Sequence, residues 1–313
     1  MWVIRGPSGF IAGGAILLTA CSGATDPAST TSREEPTGRP PTGEVAFTHA
    51  LGVIAPIYRL AADGSSAPRA IGPDNRIVWA ISWSPDGSQI AAITSSAGED
   101  RSLILNAETG EVHTLLASGM SDLGANLYQL AWAPSGRRIA VVHKNPGSDG
   151  PGSIALIDLK GQIRKRNLAR NAFPGSRISW APDSRHLVYR TGARYVPAYG
   201  AFAVVAARSG RRRTMTHANV TEPAWSPGGS WIAVATRRGI AVTRPNGVGV
   251  RLLTRGGPTD TSPTWSADGR WIAYVHRRGC DSPDAGCTQD LFVVPADGGP
   301  ARRMPSPRSG PPR

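Results

Sequence analysis

The sequence predicts an all-β fold made of repeated four-stranded antiparallel units, and three observations lead there. One short stretch recurs five times. Trp83-Ser84-Pro85-Asp86-Gly87 leads into Gln89-Ile90-Ala91-Ala92-Ile93, and Trp132-Ala133-Pro134-Ser135-Gly136 into Ile139 to Val142. Trp180-Ala181-Pro182-Asp183-Ser184 leads into Leu187-Val188-Tyr189, Trp225-Ser226-Pro227-Gly228-Gly229 into Ile232-Ala233-Val234, and Trp265-Ser266-Ala267-Asp268-Gly269 into Ile272 to Val275. The tryptophans are spaced by 49, 48, 45 and 40 residues, which suits a four-stranded propeller blade and is too long for a helical-pair repeat. Long segments of helical period are scarce in the 313 residues, which argues against α/β. The architecture that satisfies all three is a six-bladed β-propeller whose first blade either has three strands or borrows one from just before Glu44.

The chemistry of one unit explains the motif. A strand ends at Trp83, Pro85 presets φ for a turn, Asp86 tolerates the next position, and Gly87 supplies the positive φ that reverses the chain. A lone hairpin leaves both faces wet, whereas blades around an axis cover one another, and Trp83, Trp132, Trp180, Trp225 and Trp265 would fill the wedges between them. Variation at the turn (Ser135, Ser184, Gly228, Ala267) marks the repeat as structural, not catalytic.

These residues, with Leu291 to Gly299 (Leu-Phe-Val-Val-Pro-Ala-Asp-Gly-Gly), resemble the WD40-like PD40 repeat of TolB-type β-propellers over roughly residues 44 to 305. The resemblance implies a propeller whose mouth docks a peptide or lipoprotein partner. It is partial, because TolB-type proteins carry an α/β domain ahead of the propeller.

In chain order, residues 1–20 read as a lipoprotein signal peptide. The apolar run from Phe10 to Leu18 is too short and too glycine-interrupted to span a bilayer, and Leu18-Thr19-Ala20-Cys21 resembles the bacterial lipobox, which implies lipidation of Cys21 and anchoring to a membrane. Residues 21–43 follow as the lipidated cysteine and a Ser, Thr and Pro tether read as disordered. Residues 44–305 form the propeller. Glu44 to His49 match the second strand of a blade, Pro56 to Gly64 the third and Pro68 to Gly72 the fourth. Later blades open at Ile81, Leu130, Ile178, Pro223 and Pro263. Residues 306–313, rich in Pro and Arg, form a disordered tail. In an oxidising compartment Cys280 and Cys287 would pair, and closing so short a loop contributes about 2 to 3 kcal/mol. The aspartates of that loop, Asp281, Asp284 and Asp290, do not match a calcium-loop spacing.

The formal charge of +13 comes almost wholly from arginine, with Lys144, Lys160 and Lys165 the lysines. The arginines spread over both ends of the strands: Arg137-Arg138, Arg164 to Arg166 and Arg211 to Arg213 at one end, Arg237-Arg238 and Arg277-Arg278 at the other. A nucleic-acid reader would gather charge on one surface and interleave aromatics, so no nucleic-acid partner is expected. The spread suits attraction to anionic head groups or wall polymers, screened within about 8 Å.

Candidate site residues follow from where propellers bind, at the mouth formed by loops entering the innermost strands and loops after the second strands. The latter carry His49, Thr94, His143, Arg190, Thr236 and His276. The former carry Asp74 to Arg76, Asp122, Asn126, Tyr128, Arg177, Asn219, Glu222 and Asp260. From these the candidate binding set is His49, Asp122, His143, Arg190, Glu222, Asp260 and His276. Three histidines at equivalent places raise a metal possibility, but second strands lie too far from the axis to bring the rings together, so no metal or other cofactor is expected and loop histidines exposed to solvent are the preferred reading. Nucleophile elbow, zincin and phosphate-loop motifs are missing. The expected function is a monomeric, lipid-anchored, extracytoplasmic propeller, non-enzymatic, serving as a protein-binding scaffold at the bacterial cell envelope. The alternative is a ligand-binding or enzymatic propeller, lyase-like or lactonase-like, working at the channel mouth.

Overall fold

The computed structural model describes residues 44–304, apart from 49–55, 62–68, 73–75, 97–98, 117–122, 124–125, 145–149, 175–176, 193–199, 267 and 279–287. Cys21, Cys280, Cys287, the tether and the tail therefore lie outside the described residues, as do His49 and Asp122.

Among the described residues, twenty-two strands and one short 3-10 turn (Gly257–Thr259) account for the regular structure. The first sheet is three-stranded, β1 (Glu44–Thr48), β2 (Ile57–Ala61) and β3 (Arg69–Ile71). The next two are four-stranded meanders. One is β4 (Ile77–Trp83), β5 (Gln89–Ser96), β6 (Glu99–Asn106) and β7 (Val112–Leu116). The other is β8 (Asn126–Trp132), β9 (Arg138–Lys144), β10 (Gly152–Asp158) and β11 (Ile163–Ala172). Then come β12 (Ile178–Trp180), β13 (His186–Arg190), β14 (Gly200–Ala206) and β15 (Arg212–Trp225). The chain continues through β16 (Ile232–Thr236), β17 (Gly239–Thr243) and β18 (Arg251–Leu252) to a last sheet of β19 (Asp260–Trp265), β20 (Trp271–Arg278), β21 (Thr288–Pro295) and β22 (Arg302–Arg303). Strand β15 serves two blades at once. Arg212 to Met215 pair with β14, and Val220 to Trp225 pair with β16. Among the described residues this gives five four-stranded blades preceded by one three-stranded sheet, where the repeat predicts the first of six blades.

Each motif tryptophan closes its innermost strand and pairs with the residue seven positions on: Trp83 with Ile90, Trp132 with Ile139, Trp180 with Leu187, Trp225 with Ile232, Trp265 with Ile272. One register for all five follows from one turn chemistry. Gly87 sits at φ 73°, and Ser184, the non-glycine at that place, is held at 55°. The Ser84 hydroxyl donates to Asp86 at 2.5 Å and accepts from Gln89 N at 2.9 Å, and Ser266 repeats this with Asp268 and Trp271. These bonds, that of Ser84 foremost, hold the Asp86 carboxyl below the usual carboxylate range. The motif is turn-building chemistry.

Burial takes the form of five apolar layers, one between each successive pair of blades. Trp83 lies in the first, Trp132 in the second, Trp180 in the third and Trp265 in the fifth, with Trp225 packed on the fourth. Cross-blade hydrogen bonds join the layers in two alternating forms. Ser82 and Ser179 hydroxyls accept from the backbone of Trp132 and Trp225 in the following blade, both at 3.0 Å. The carbonyls of Ala131 and Ala224 accept from the indoles of Trp180 and Trp265, again at 3.0 Å.

Four strand beginnings differ from the sequence expectation: β19 starts at Asp260, three residues ahead of Pro263, and β15 already pairs with β16 from Val220, three ahead of Pro223. Strands β4 and β8 begin at Ile77 and Asn126, four residues ahead of the expected Ile81 and Leu130. A β-bulge inside each, at Val78/Ala80 and Leu127/Gln129, breaks the alternation that marks a strand in sequence. Arg164, Lys165 and Arg166 lie within β11, beyond its turn.

Candidate functional site

The five innermost strands β4, β8, β12, β15 and β19 surround one central cavity of about 350 Å³. Its turn-side end is ringed by Pro85, Pro134, Pro182 and Pro227 of the motif. At the other end, where these strands begin, Gln129 and Arg177 face inward. This second end is the mouth that the sequence singles out.

Bulges in β15 and β19, with positive φ at Glu222 (51°) and Ser262 (55°), turn these two strands at the mouth. The Glu222 carboxylate accepts from the backbone N–H of Ser262 at 2.5 Å, tying one blade to the next. Arg177 is buried and donates through Nη1 to the Pro263 carbonyl at 3.2 Å. Burial pushes its pKa down and the Glu222 charge pushes back. Arg190, also buried, lies over the Phe173 ring at 4.0 Å and has the same balance of burial against Glu222. Two guanidiniums thus act on one carboxylate across two blades.

Asp260 opens β19 and is 1% exposed. It accepts from the Thr254 hydroxyl and from Gly256 N at 3.1 Å, and it holds His276 Nδ1 at 2.6 Å. A Cβ on Gly256 would stand 2.3 Å from the Asp260 carboxylate, so a glycine is required there. The pairing fixes the Nδ1–H form of the ring and leaves Nε2 as its basic atom. His276 also meets Phe292 edge-on, and burial, aided by the Asp260 charge, pushes the Tyr274 hydroxyl well up.

The structure therefore places Arg190, Glu222, Asp260 and His276 at the end of the blades where the innermost strands begin, with Arg177 lining the cavity there. It places His143 elsewhere in function. His143 is 4% exposed, with Nδ1 3.0 Å from the Leu123 carbonyl and Nε2 3.2 Å from that of Arg166. The expectation of a solvent-exposed loop histidine is corrected: this ring staples β9 to β11, and burial lowers its pKa. His276 is half-buried, not a free loop side chain either. Among the described residues no three His, Cys, Asp or Glu side chains converge as metal ligands. Asp290, weighed above as a loop aspartate, is instead held by Arg278 and Arg303.

The sequence named Arg177 as a mouth residue but gave no sign of its burial or of its partnership with Glu222, 45 positions on. On the opposite end, Arg211, Arg212 and Arg213 line a groove with His186, Trp225 and Asn246. Around the mouth itself Arg170, Asn171, Arg238 and Arg255 are exposed.

Comparison with known proteins agrees with this geometry. The family model for the WD domain, G-beta repeat, matches residues 68–105. Among solved structures the chain is similar to TolB from Acinetobacter baumannii, with TM-score 0.65 and 18% identity over 84% of this chain and 64% of that one. It is similar to a putative TolB from Agrobacterium tumefaciens, with TM-score 0.60 and 21% identity over 76% of this chain and 83% of that one. An oligogalacturonate lyase in complex with manganese follows, with TM-score 0.53 and 14% identity over 79% and 73%. The chain spans less than two thirds of the length of the Acinetobacter protein. No curated protein matches it in sequence. The fold is that of a TolB-like, WD40-like β-propeller, and 1065 solved chains match it, too many for the shape alone to specify a task.

Proposed function

We propose that this chain is a lipid-anchored, extracytoplasmic, non-enzymatic scaffold at the bacterial cell envelope, monomeric, which docks an acidic segment of an envelope protein or peptide on the mouth of its propeller. The observation that carries the reading is the charge arrangement at the mouth. Its carboxylates are occupied internally, Glu222 by the Ser262 backbone and Asp260 by Thr254, Gly256 and His276, while Arg170, Arg238 and Arg255 stand exposed around them. Guanidiniums match carboxylates in geometry and charge. The +13 balance steers an acidic partner toward the chain. The lipobox-like Leu18 to Cys21 supports the anchor, and no helix among the described residues is long and apolar enough to cross a membrane. The TolB structures share the fold, and the TolB-type resemblance of the repeat supports a protein-binding use.

Photo-crosslinking in intact cells tests the docking, with probes at Arg170, Arg238 and Arg255 and a control at Arg137, which is exposed on the turn side. The expected result is one discrete protein adduct from the mouth probes and none from the control. Equal adducts from Arg137, or none at the mouth, overturn the reading. Cys21→Ser should move the protein from the membrane to the soluble fraction.

A second reading rests on the Asp260–His276 pair, which has the form of an oriented general base, and on the lyase among the similar structures. Turnover of an acidic sugar polymer abolished by His276→Gln would favour it. Crosslinking that survives the same substitution favours the scaffold.

A further inference from the structure

The fourth blade departs from the two that follow it at one place, and a groove of about 730 Å³ opens there toward the fifth blade, at the turn end and away from the mouth. The shared register lets these blades be compared residue by residue. The sixth residue after the motif tryptophan is His186 in the fourth blade, Trp231 in the fifth and Trp271 in the sixth. Across the second, third and fourth strands, the rank Val188, Val204 and Arg213 is equivalent to Ala233, Val242 and Arg251 and to Ala273, Val293 and Arg302. In the last two blades the arginine of the rank lies against the tryptophan, Arg251 5.6 Å from the Trp231 ring centre and Arg302 5.8 Å from that of Trp271. Arg244 lies over Trp231 as well, at 4.0 Å. Arg251 also donates through Nη1 and Nη2, at 2.7 Å each, to the carbonyls of Asp297 and Ala296 in the next blade's turn, which closes that wedge.

The fourth blade keeps the arginine and lacks its partners. His186 stands where Trp231 would, and Ala206, paired with it, where Arg244 would, so two smaller side chains leave the space open. Pro245 and Asn246, the counterparts of Ala296 and Asp297, form the far wall of the groove. Among the described residues the exposed guanidiniums of Arg211 and Arg213 have neither a carboxylate nor a carbonyl partner. The nearby carboxylate of Asp183 is occupied within its own turn, by His186 Nδ1 at 2.8 Å and by the backbone N–H groups of Arg185 and His186. Trp225 lines the groove too, and it is the part-exposed one of the five motif tryptophans, the other four being buried.

We propose that this groove is a second binding site, for a small aromatic carboxylate, whose ring takes the place that Trp231 fills in the next wedge and whose carboxylate sits on Arg213. Each half of the ligand answers an observed vacancy. A flat ring between Val204 and Trp225 restores the aromatic partner that the equivalent arginines have, with its electron-rich face toward the cation. The two carboxylate oxygens replace the two carbonyl oxygens that Arg251 finds in Ala296 and Asp297, and a guanidinium fork holds such a pair bidentately. Arg211, two residues along the same face, adds a second positive charge. A mainly apolar hollow of this size with a few convergent charged groups is the usual form of a small-molecule site. The site is independent of the membrane anchor and of any partner at the mouth.

Isothermal titration of the full chain with indole-3-propionate tests the proposal. Saturable binding is expected, and indole or propionate alone, each offering one half of the ligand, should bind about 10-fold more weakly or worse. Arg213→Gln should weaken indole-3-propionate by about 10-fold or more, the loss of a hydrogen-bonded charge pair. His186→Trp combined with Ala206→Arg rebuilds the next wedge inside this one and should abolish binding. The comparison among the three ligands uses the unaltered chain, so it stands even if a variant fails to fold. No saturable binding of indole-3-propionate overturns the proposal. Equal affinity for indole overturns it in favour of a merely apolar hollow, and binding that survives both Arg213→Gln and the filled variant places the ligand elsewhere and overturns it as well.

Discussion

Replacing Glu222 with glutamine keeps the side chain's shape and an oxygen for the Ser262 N–H, and removes only the charge. That charge is what offsets the burial of Arg177 and Arg190. Removing one partner of a buried ion pair costs about 3–5 kcal/mol, because it leaves the other charge buried. Glu222 is half-buried and acts on the two arginines through space and not as a contacting pair, so a smaller loss, about 2 kcal/mol, is expected. Against a whole-domain stability of about 5–15 kcal/mol the loss is large. Urea unfolding followed by far-UV circular dichroism measures it, with an unchanged m-value showing that only stability moved. Arg177→Met in the Glu222→Gln background removes the stranded cation, and the double variant should recover about 1–2 kcal/mol relative to Glu222→Gln alone. Glu222→Gln within about 0.5 kcal/mol of the parent, near the usual spread for surface changes, would refute the reasoning. Simple additivity of the two substitutions would refute it equally.

The tryptophan links and the buried histidine give two more outcomes. Trp180→Phe leaves the Ala131 carbonyl without its cross-blade donor and should cost about 2–3 kcal/mol in denaturant unfolding, whereas Trp132→Phe, whose indole bonds the Gly136 carbonyl of its own turn, should cost less. Equal losses would show that the bond across the blades adds nothing. For His143 the folded pKa lies below the ordinary 6.5, so below about that pH the unfolded chain binds a proton that the folded chain resists. Stability should therefore rise with pH up to about 6.5 through this group and stop rising above it, and the part of the slope lost in His143→Gln measures the contribution. A slope of the same size in the variant would assign the effect to other groups.

Much of the blade architecture was legible because the motif carries its own turn chemistry. Pro85 and Gly87 dictate a reversal, Ser84 and Asp86 bond it shut, and the apolar residues after it need a covered face, all within a dozen residues. Strand beginnings were less legible. They carry bulges, and a bulge breaks the two-residue period by which a strand is recognised. At the join of the fourth and fifth blades the sequence marked the opening near Pro223 but not its continuity, since β15 runs through both without any glycine between Arg212 and Trp225 to announce a turn.

Sequence alone determined the all-β class, the period of the ring, the shared register of the tryptophans and the set of polar residues at strand beginnings, because each depends on neighbours close along the chain. Tertiary structure decided which of those polar residues act together. The Glu222 charge acts on Arg177 and Arg190, Asp260 bonds His276, and His143 turns away to two backbone carbonyls, each between segments some 16 to 45 residues apart. Burial and partnership set the charge on such groups, and both are properties of the closed ring.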